Sequence, residues 1–293
     1  MELNDEIITT PPRPAATVVM LRDGAQGLEV FLLKRHAASN VLGGAYVFPG
    51  GKLDDADSQA DLATRLDQSA EVLHASLREA ETDAATAAGL YVAALREAFE
   101  ESGVLYAEDA AGGAVDAARA AARLREGQAF GALLAEFGLR LQTRQLAPWS
   151  RWITPRQPSV TNKRFDTRFF VAAVPAEQTA RHDDHETTDS VWLAPRAALQ
   201  QYWDRHIELA PPQIMSLAHL ARHDSVGSVL QAARRSAPPL IQPEPFDQDG
   251  TRVLCYPGDE RHSVRERALP GPTRLLFRNK RFEPVGGFDG LFD

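Results

Sequence analysis

The fold of this chain is decided by the stretch Arg96-Glu97-Ala98-Phe99-Glu100-Glu101-Ser102-Gly103-Val104. If this stretch is helical, Glu97, Glu100 and Glu101 lie at i, i+3 and i+4 and share one face. Gly103 stands where a left-handed C-terminal cap is expected. The opposite stripe is apolar or small and is predicted to face a core; it consists of Leu95, Ala98, Phe99 and Ser102.

The three carboxylates have two interpretations. A cluster of carboxylates suits a hard divalent cation such as Mg²⁺, which takes oxygen ligands. A solvated acidic helix face gives the same pattern. Two features favour the metal site: Arg96 stands four residues before Glu100 and can orient its carboxylate, and a glycine-rich segment, Val47-Phe48-Pro49-Gly50-Gly51-Lys52-Leu53-Asp54, lies upstream.

Together these segments resemble the box of the Nudix hydrolases, which reads G-x5-E-x7-R-E-U-x-E-E-x-G-U, where U is a bulky aliphatic residue. Residues 96–104 match its second half, with Ala98 at the first U position. Phe48-Pro49-Gly50-Gly51 matches the segment that leads into the box, and Gly51 takes the box glycine. Asp57 stands where the family has its first Glu.

The spacing between the two halves departs from the family. Family glycine and arginine lie 14 positions apart, whereas Arg96 minus Gly51 is 45, an excess of 31 residues. One branch of the family carries an insertion at this point, and it includes the peroxisomal coenzyme A diphosphatases of animals and bacterial relatives. Further similarity to that branch lies in Trp152-Ile153-Thr154-Pro155, Arg164-Phe165-Asp166-Thr167-Arg168-Phe169-Phe170 and Trp192-Leu193-Ala194-Pro195.

The resemblance implies an α/β fold, the Nudix-type α/β/α sandwich with a mixed sheet. Residues 1–14 are predicted to form a loose N-terminal arm and residues 15–235 the Nudix domain. A helical insertion is expected at about 58–85, the box helix at 86–102 and a second helical stretch at about 113–137. Residues 236–293 are rich in Pro and Gly and are predicted to be an irregular extension, packed on the domain, with short hairpins near 252–256 and 274–282.

Nudix enzymes cleave a diphosphate that links a nucleoside diphosphate to another group, with water as the nucleophile. Carried over by motif, the catalytic residues are Arg96, Glu97, Glu100 and Glu101, and the ligands of Mg²⁺ or Mn²⁺ are Glu97, Glu100, Glu101 and Gly50. Gly50 and Gly51 would let the backbone approach the metal and the phosphates closely. Because Arg96 is assigned to orienting a glutamate, Arg96→Ala is predicted to lower turnover more than stability.

The general base is less constrained, since family members use either a box glutamate or a glutamate on a later loop. Glu186, in Arg181-His182-Asp183-Asp184-His185-Glu186, precedes a predicted strand and is the candidate on such a loop. The alternative is an ordinary solvated acidic loop, and His182 and His185 are interpreted as surface histidines.

Binding the phosphates of a substrate requires positively charged side chains and a backbone that can approach the phosphates closely. Arg35, Arg164 and Arg168, together with Gly51, are predicted to bind the substrate, and ordinary ion pairing is the alternative for each arginine. Arg164 and Arg168 share strand parity, so both are expected on one face of the sheet.

The substrate is expected to be coenzyme A or an acyl derivative. Coenzyme A-cleaving Nudix enzymes of another branch carry L-L-T-x-R-S-x3-R-x3-G-x3-F-P-G-G, and Leu32, Arg35 and Gly44 align with it. Leu33, His36 and Asn40 depart from it, and Asn40 replaces an arginine. ADP-ribose, nucleotide sugars and dinucleoside polyphosphates remain alternatives, as does a ligand-sensing module without turnover; the complete set of box charges favours catalysis.

The composition of the chain excludes several other classes of protein. A chain of 293 residues with net charge −8 suits a globular protein without general nucleic-acid binding. One cysteine, Cys255, excludes an internal disulfide. No apolar run approaches the ~20 residues of a membrane span, the start is acidic, and the end is not Ser-Lys-Leu, so the cytoplasm is expected. The expected partner is a small diphosphate substrate, and a homodimer stays open.

Overall fold

The computed structural model describes residues 3–4, 6–39, 42–113, 115–158, 163–183 and 186–293. Asn40 and His185 lie outside the described residues. The strands are β1 (Arg13–Gly24), β2 (Gly27–Arg35), β3 (Tyr46–Val47), β4 (Gly50–Lys52), β5 (Ala107–Glu108), β6 (Arg140–Leu141), β7 (Ala147–Ile153), β8 (Phe165–Ala173), β9 (Thr187–Leu193), β10 (Leu240–Ile241), β11 (Glu244–Gln248), β12 (Thr251–Cys255), β13 (Arg274–Arg278) and β14 (Arg281–Pro284). The helices are α1 (Ala60–Ala63), α2 (Ala70–Leu77), α3 (Ala84–Ser102), α4 (Ala117–Arg125), α5 (Phe130–Glu136), α6 (Pro195–Trp203), α7 (Pro211–Leu220) and α8 (Val226–Arg235).

The centre of the fold is a large mixed sheet with strand order β10-β7-β8-β1-β2-β3. β1 pairs in parallel with β8 on one edge, through Arg13–Leu21. On its other edge it pairs antiparallel with β4 through Ala15–Thr17 and with β2 through Leu21–Gly24. β9 extends the sheet by pairing with β2. This pairing fixes the glycine-rich β4 beside the first residues of the central strand.

Alternate residues of the sheet supply two apolar layers, as the period of a strand requires. On β1, Val18 and Met20 pack in the layer that contains α3, and Val19 and Leu21 pack in the layer that contains α6, α7 and α8. The sheet therefore lies between two helical layers, and the predicted α/β/α sandwich with a mixed sheet is confirmed.

The helix α3 forms where its sequence predicts, beginning two residues earlier. Asp83 caps its N-terminus by accepting a hydrogen bond from the Thr86 amide at 2.8 Å. Gly103 ends it in the left-handed conformation, with φ of 70°. The predicted apolar stripe is buried: Leu95, Ala98, Phe99 and Ser102. The acidic face lies on the other side of α3 and packs on β4, where Glu101 is buried.

Both predicted helical stretches are divided into shorter helices. The insertion at about 58–85 holds α1 and α2, and Leu73 and Leu77 of α2 are buried against α3. The stretch at about 113–137 holds α4 and α5, which are separated by Gly127 at φ of 90°. A left-handed glycine ends a helix, so the Ala-rich composition alone could not show where one helix stops.

The segment after residue 236 holds more regular structure than its composition predicts. β10 joins the edge of the main sheet beside β7, and β11 to β14 form an antiparallel sheet of their own. The sheet of β11 to β14 packs on α6, where the Tyr202 hydroxyl donates to the Phe282 carbonyl at 2.8 Å. Leu275 and Phe282 are buried in this contact, so the many Pro and Gly residues lie between ordered strands.

Residues 6–12 precede β1 without regular structure, and the Ile8 amide donates to the Arg156 carbonyl at 2.7 Å. Over the described part of the chain, the helices are too short or too polar to cross a bilayer.

Candidate active site

The acidic face of α3 meets the glycine-rich strand β4. The Gly50 amide donates to Oε2 of Glu101 at 2.9 Å. A Cβ atom at Gly51 would overlap the carboxylate of Glu97, and one at Gly50 would overlap Thr17. Gly50 is therefore required for β4 to lie this close to β1, and Gly51 leaves the space that the Glu97 carboxylate occupies.

Arg96 holds the acidic face together. Its guanidinium donates to Oδ1 and Oδ2 of Asp57 at 2.8 and 3.0 Å, and its Nη1 donates to Glu97 and Glu100, each at 2.8 Å. Asp57 is buried and also accepts the Asp54 amide at 2.9 Å. Although the insertion separates Asp57 from Arg96 by 39 positions, the two halves of the site meet through this bidentate pair.

The pKa values of the three glutamates are raised, chiefly because the carboxylates are buried. Burial, opposed by Arg96 and reinforced by Glu100, raises the pKa of Glu97 to about 7. Burial and the charge of Glu97 raise the pKa of Glu101 to about 8. Burial also raises the pKa of Glu100. A divalent cation at this face would favour the charged forms and lower all three.

The donor set fits a hard cation, since carboxylate oxygens are what Mg²⁺ and Mn²⁺ take. In the structure, Glu97 and Glu100 are engaged by Arg96. Within the described ranges, no group of three or more His, Cys, Asp or Glu side chains converges as a ready metal site. The chemistry of the residues therefore agrees with a metal, and their arrangement is that of carboxylates paired with an arginine.

Arg35 and Glu186 lie across the same cleft from α3. Over the described residues, Nε of Arg35 is buried without a hydrogen-bond partner. Its charge lowers the pKa of Glu101, whereas the charge of Glu186 raises that of both Glu97 and Glu101, which places both near the glutamates. Glu186 is exposed, and its carbonyl accepts the His36 amide at 3.0 Å.

The cleft beside the carboxylates has a volume of about 620 Å³. Its polar end holds Gly50, Gly51, Arg96, Glu97 and Glu100 of the box, whereas Glu101 is buried and does not line it; its other end is aromatic and apolar. There Phe169 packs against Phe48 and Trp152, with ring centroids 6.4 and 6.2 Å apart. Residues lining the cleft that the sequence did not identify as site residues include Arg13, Lys52, Phe48, Trp152, Lys163, Phe165, Phe169, Gln213 and Leu254. The alternation along β8 could have indicated Phe165 and Phe169, which share a face.

Comparisons with known proteins agree with this geometry. Residues 83–220 match a family model described as the NUDT19 Nudix domain. The structure superposes on the crystal structure of a NUDIX hydrolase from Alicyclobacillus acidocaldarius with a TM-score of 0.62 and 30% identity, covering 76% of this chain and 97% of that one.

The chain belongs to the Nudix hydrolases. Its curated relatives include the acyl-coenzyme A diphosphatase NUDT19 of Xenopus laevis, 27% identical over 79% of this chain and 70% of the relative. The human protein of the same name is 27% identical over 87% of this chain and 76% of the relative. The predicted membership is confirmed, and this Nudix chain is a pyrophosphohydrolase of a family that generally needs divalent metal ions.

Two residues predicted to bind substrate lie elsewhere. Arg168 donates from Nη2 to Glu79 at 2.5 Å and contacts Asp166, and Arg164 donates to the carbonyls of Thr154 and Thr10. Both are buried and neither lines the cleft. Their shared parity is correct, but it is the neighbouring residues on β8, such as Phe165, that face the cleft. Parity alone does not reveal which face of a strand carries the site.

We expect Arg96→Ala to lower the free energy of unfolding by about 3–5 kcal/mol, because Asp57 would stay buried without its cation. This revises the prediction from sequence that stability would change less than turnover. Urea unfolding of Arg96→Ala, Asp57→Asn and the double variant measures the coupling, which we expect to exceed about 1 kcal/mol. Additive effects of the two substitutions would contradict the assigned pairing.

Proposed function

We propose that this Nudix hydrolase cleaves the diphosphate of coenzyme A and acyl-coenzyme A, with Mg²⁺ or Mn²⁺ as its cofactor. The products would be phosphopantetheine, or its acylated form, and adenosine 3′,5′-bisphosphate. The observation that carries the proposal is the composition of the cleft, in which the carboxylates of α3 adjoin an aromatic and apolar end. The relatives named acyl-coenzyme A diphosphatases support it, because the similarity covers most of this chain.

Each end of the cleft has a role in this proposal. Glu97, Glu100 and Glu101, with the backbone of Gly50, would hold the divalent cation. When bound, the cation neutralises phosphate oxygens and lowers the pKa of the attacking water. Arg96 keeps the glutamates oriented through the bonds described above.

Residues across the cleft from α3 would bind the substrate and accept the proton. Arg35 would supply a positive charge to a phosphate through its buried and unpartnered Nε. Glu186, exposed on the facing loop, would accept the proton of the attacking water. Gly51 leaves the backbone open to the phosphates.

A substrate panel tests the proposal. We expect wild-type protein with Mg²⁺ or Mn²⁺ to hydrolyse coenzyme A and acyl-coenzyme A with kcat/KM at least about tenfold above ADP-ribose, a nucleotide sugar and a dinucleoside polyphosphate. Mass spectrometry of the products identifies which bond is cut. A preference for any of the other three compounds would replace coenzyme A as the substrate, and no turnover of any of them would leave a ligand-sensing module as the better account.

A further inference from the structure

We propose that the start of α7 and the C-terminal sheet, which β11 to β14 form, together make the subsite for the pantetheine and acyl arm of the substrate. Gln213 would bind an amide of the arm, and an apolar wall would bind the acyl chain. This inference rests on the proposed function and assigns a role to residues 236–293, which lie beyond the 83–220 matched by the family model.

The strand register brings the C-terminal segment to the cleft. β10 pairs in parallel with β7, with Ile241 opposite Trp152. Two residues past Ile241, Pro243 lines the cleft, and so does Leu254 of β12. Tyr256, which follows β12, packs against Trp152 with ring centroids 6.1 Å apart. The C-terminal sheet is therefore in contact with the same aromatic residue that lines the apolar end of the cleft.

The apolar wall offers few hydrogen-bond donors from its backbone. It is rich in proline, which carries no amide N–H: Pro155, Pro158, Pro211, Pro212 and Pro243. The indole Nε1 of Trp152 already donates to Ser150 at 3.1 Å. Sugar hydroxyls or a second nucleobase would find few N–H donors along these prolines to replace their hydrogen bonds to water, whereas an alkyl chain gains from burial.

Gln213 adds a polar side chain beside these prolines. It lines the cleft, its residue is 7% exposed, and within the described part of the chain its Oε1 is buried without a hydrogen-bond partner. A buried acceptor of this kind is costly unless a ligand supplies a donor. The pantetheine arm carries amide N–H groups and ends in the thiol or thioester, so one amide at Gln213 would direct the acyl chain along the proline wall.

Kinetics of four substrates test the subsite: coenzyme A and its acetyl, hexanoyl and lauroyl thioesters. For wild type we expect kcat/KM for hexanoyl-coenzyme A to exceed that for acetyl-coenzyme A by about tenfold, since each buried methylene adds affinity. Leu254→Phe, which narrows the wall, should reduce that ratio to about one. Pro212→Ser, at a half-buried position in the first turn of α7, should lower it by adding a polar group and is compatible with a helix start.

The variant Gln213→Leu tests whether Gln213 binds the substrate or only stabilises the fold. We expect it to raise KM for coenzyme A about tenfold with kcat little changed, while the melting temperature does not fall, because the unpartnered oxygen is removed. Leu240→Ser is the matched control: it lies in the same C-terminal segment, is 50% exposed and does not line the cleft. Its chain-length ratio should equal that of wild type.

The outcomes distinguish the two proposals. Hydrolysis of coenzyme A with a flat chain-length profile, or with the same ratio in wild type, Leu254→Phe and Pro212→Ser, would overturn the acyl subsite and leave the proposed function standing. An unchanged KM in Gln213→Leu would overturn the role of Gln213. If none of the four compounds is cleaved, the proposed function fails and this inference fails with it.

Discussion

Replacing Glu101 with Gln is expected to lower turnover by at least about 10²-fold and, in metal-free buffer, to stabilise the protein. The loss of turnover follows from removal of a proposed metal ligand. The gain in stability follows because burial raises the pKa of Glu101 to about 8, so the charged form is disfavoured in the folded protein. A Gln oxygen can still accept the Gly50 amide.

The size of this gain in stability depends on pH. Between pH 4.5, the ordinary pKa of a glutamate, and pH 8, the folded state keeps a proton that the unfolded state has released. The stability that this proton represents is complete below pH 4.5 and is lost as the pH rises toward 8, at about 1.4 kcal/mol per pKa unit at most. Thermal unfolding with a chelator, from pH 5 to 9, should therefore show Glu101→Gln gaining over wild type as pH rises.

Adding Mg²⁺ or Mn²⁺ should reverse the order, because only wild type binds the cation tightly enough to be stabilised by it. A variant that is less stable than wild type in chelator at every pH would contradict the burial argument. A variant with full activity would contradict the assignment of Glu101 as a ligand.

Replacing Glu79 with Ala is expected to lower the free energy of unfolding by about 3–5 kcal/mol, the range for breaking a buried ion pair. Glu79 lies just after α2 in the insertion and is buried. It accepts hydrogen bonds from Arg168 on β8 and lies 3.2 Å from Arg151 on β7. Without Glu79, both guanidinium groups would lose a buried partner.

Glu81→Ala is the matched control. Glu81 also pairs with Arg151, but its side chain is 65% exposed, so we expect a loss below about 1 kcal/mol. Urea unfolding of both variants gives the comparison. Similar small losses would mean that the insertion is not anchored through Glu79.

This anchoring explains how a box interrupted by 31 additional residues keeps its geometry. The insertion begins just after Asp57, which Arg96 binds, and it is held again at Glu79 to the main sheet. Between these points α2 packs on α3. The added residues therefore lengthen the path of the chain without separating the two halves of the box.

The sequence predicted those parts of the site whose position follows from local periodicity. The acidic face of α3, its buried stripe and its glycine cap depend on i, i+3 and i+4 spacing within one helix. The roles of Arg164 and Arg168 could not be predicted, because they depend on which layer covers each face of β8. Their guanidinium groups are taken partly by groups far away in sequence, Glu79 and the Thr10 carbonyl, and partly by nearby groups such as Asp166.

The residues that line the apolar end of the cleft could not be predicted from the sequence either. Gln213 and Leu254 carry no motif, and they reach the cleft only because α7 and the C-terminal sheet pack beside β7. The Pro and Gly content of residues 236–293 predicted irregular structure. Composition does not show that these Pro and Gly residues lie in the turns between short strands.

The most direct test of the account is the rate of phosphopantetheine release from coenzyme A, followed as a function of Mg²⁺ or Mn²⁺ concentration in wild type and in Glu100→Gln/Glu101→Gln. We predict no release in chelator, a saturable rise with metal in wild type, and a rate at least about 10³-fold lower in the double variant although it remains folded. Release that is unaffected by chelator, or equal in the two proteins, would contradict the claim that the carboxylate face of α3 carries out metal-dependent diphosphate hydrolysis.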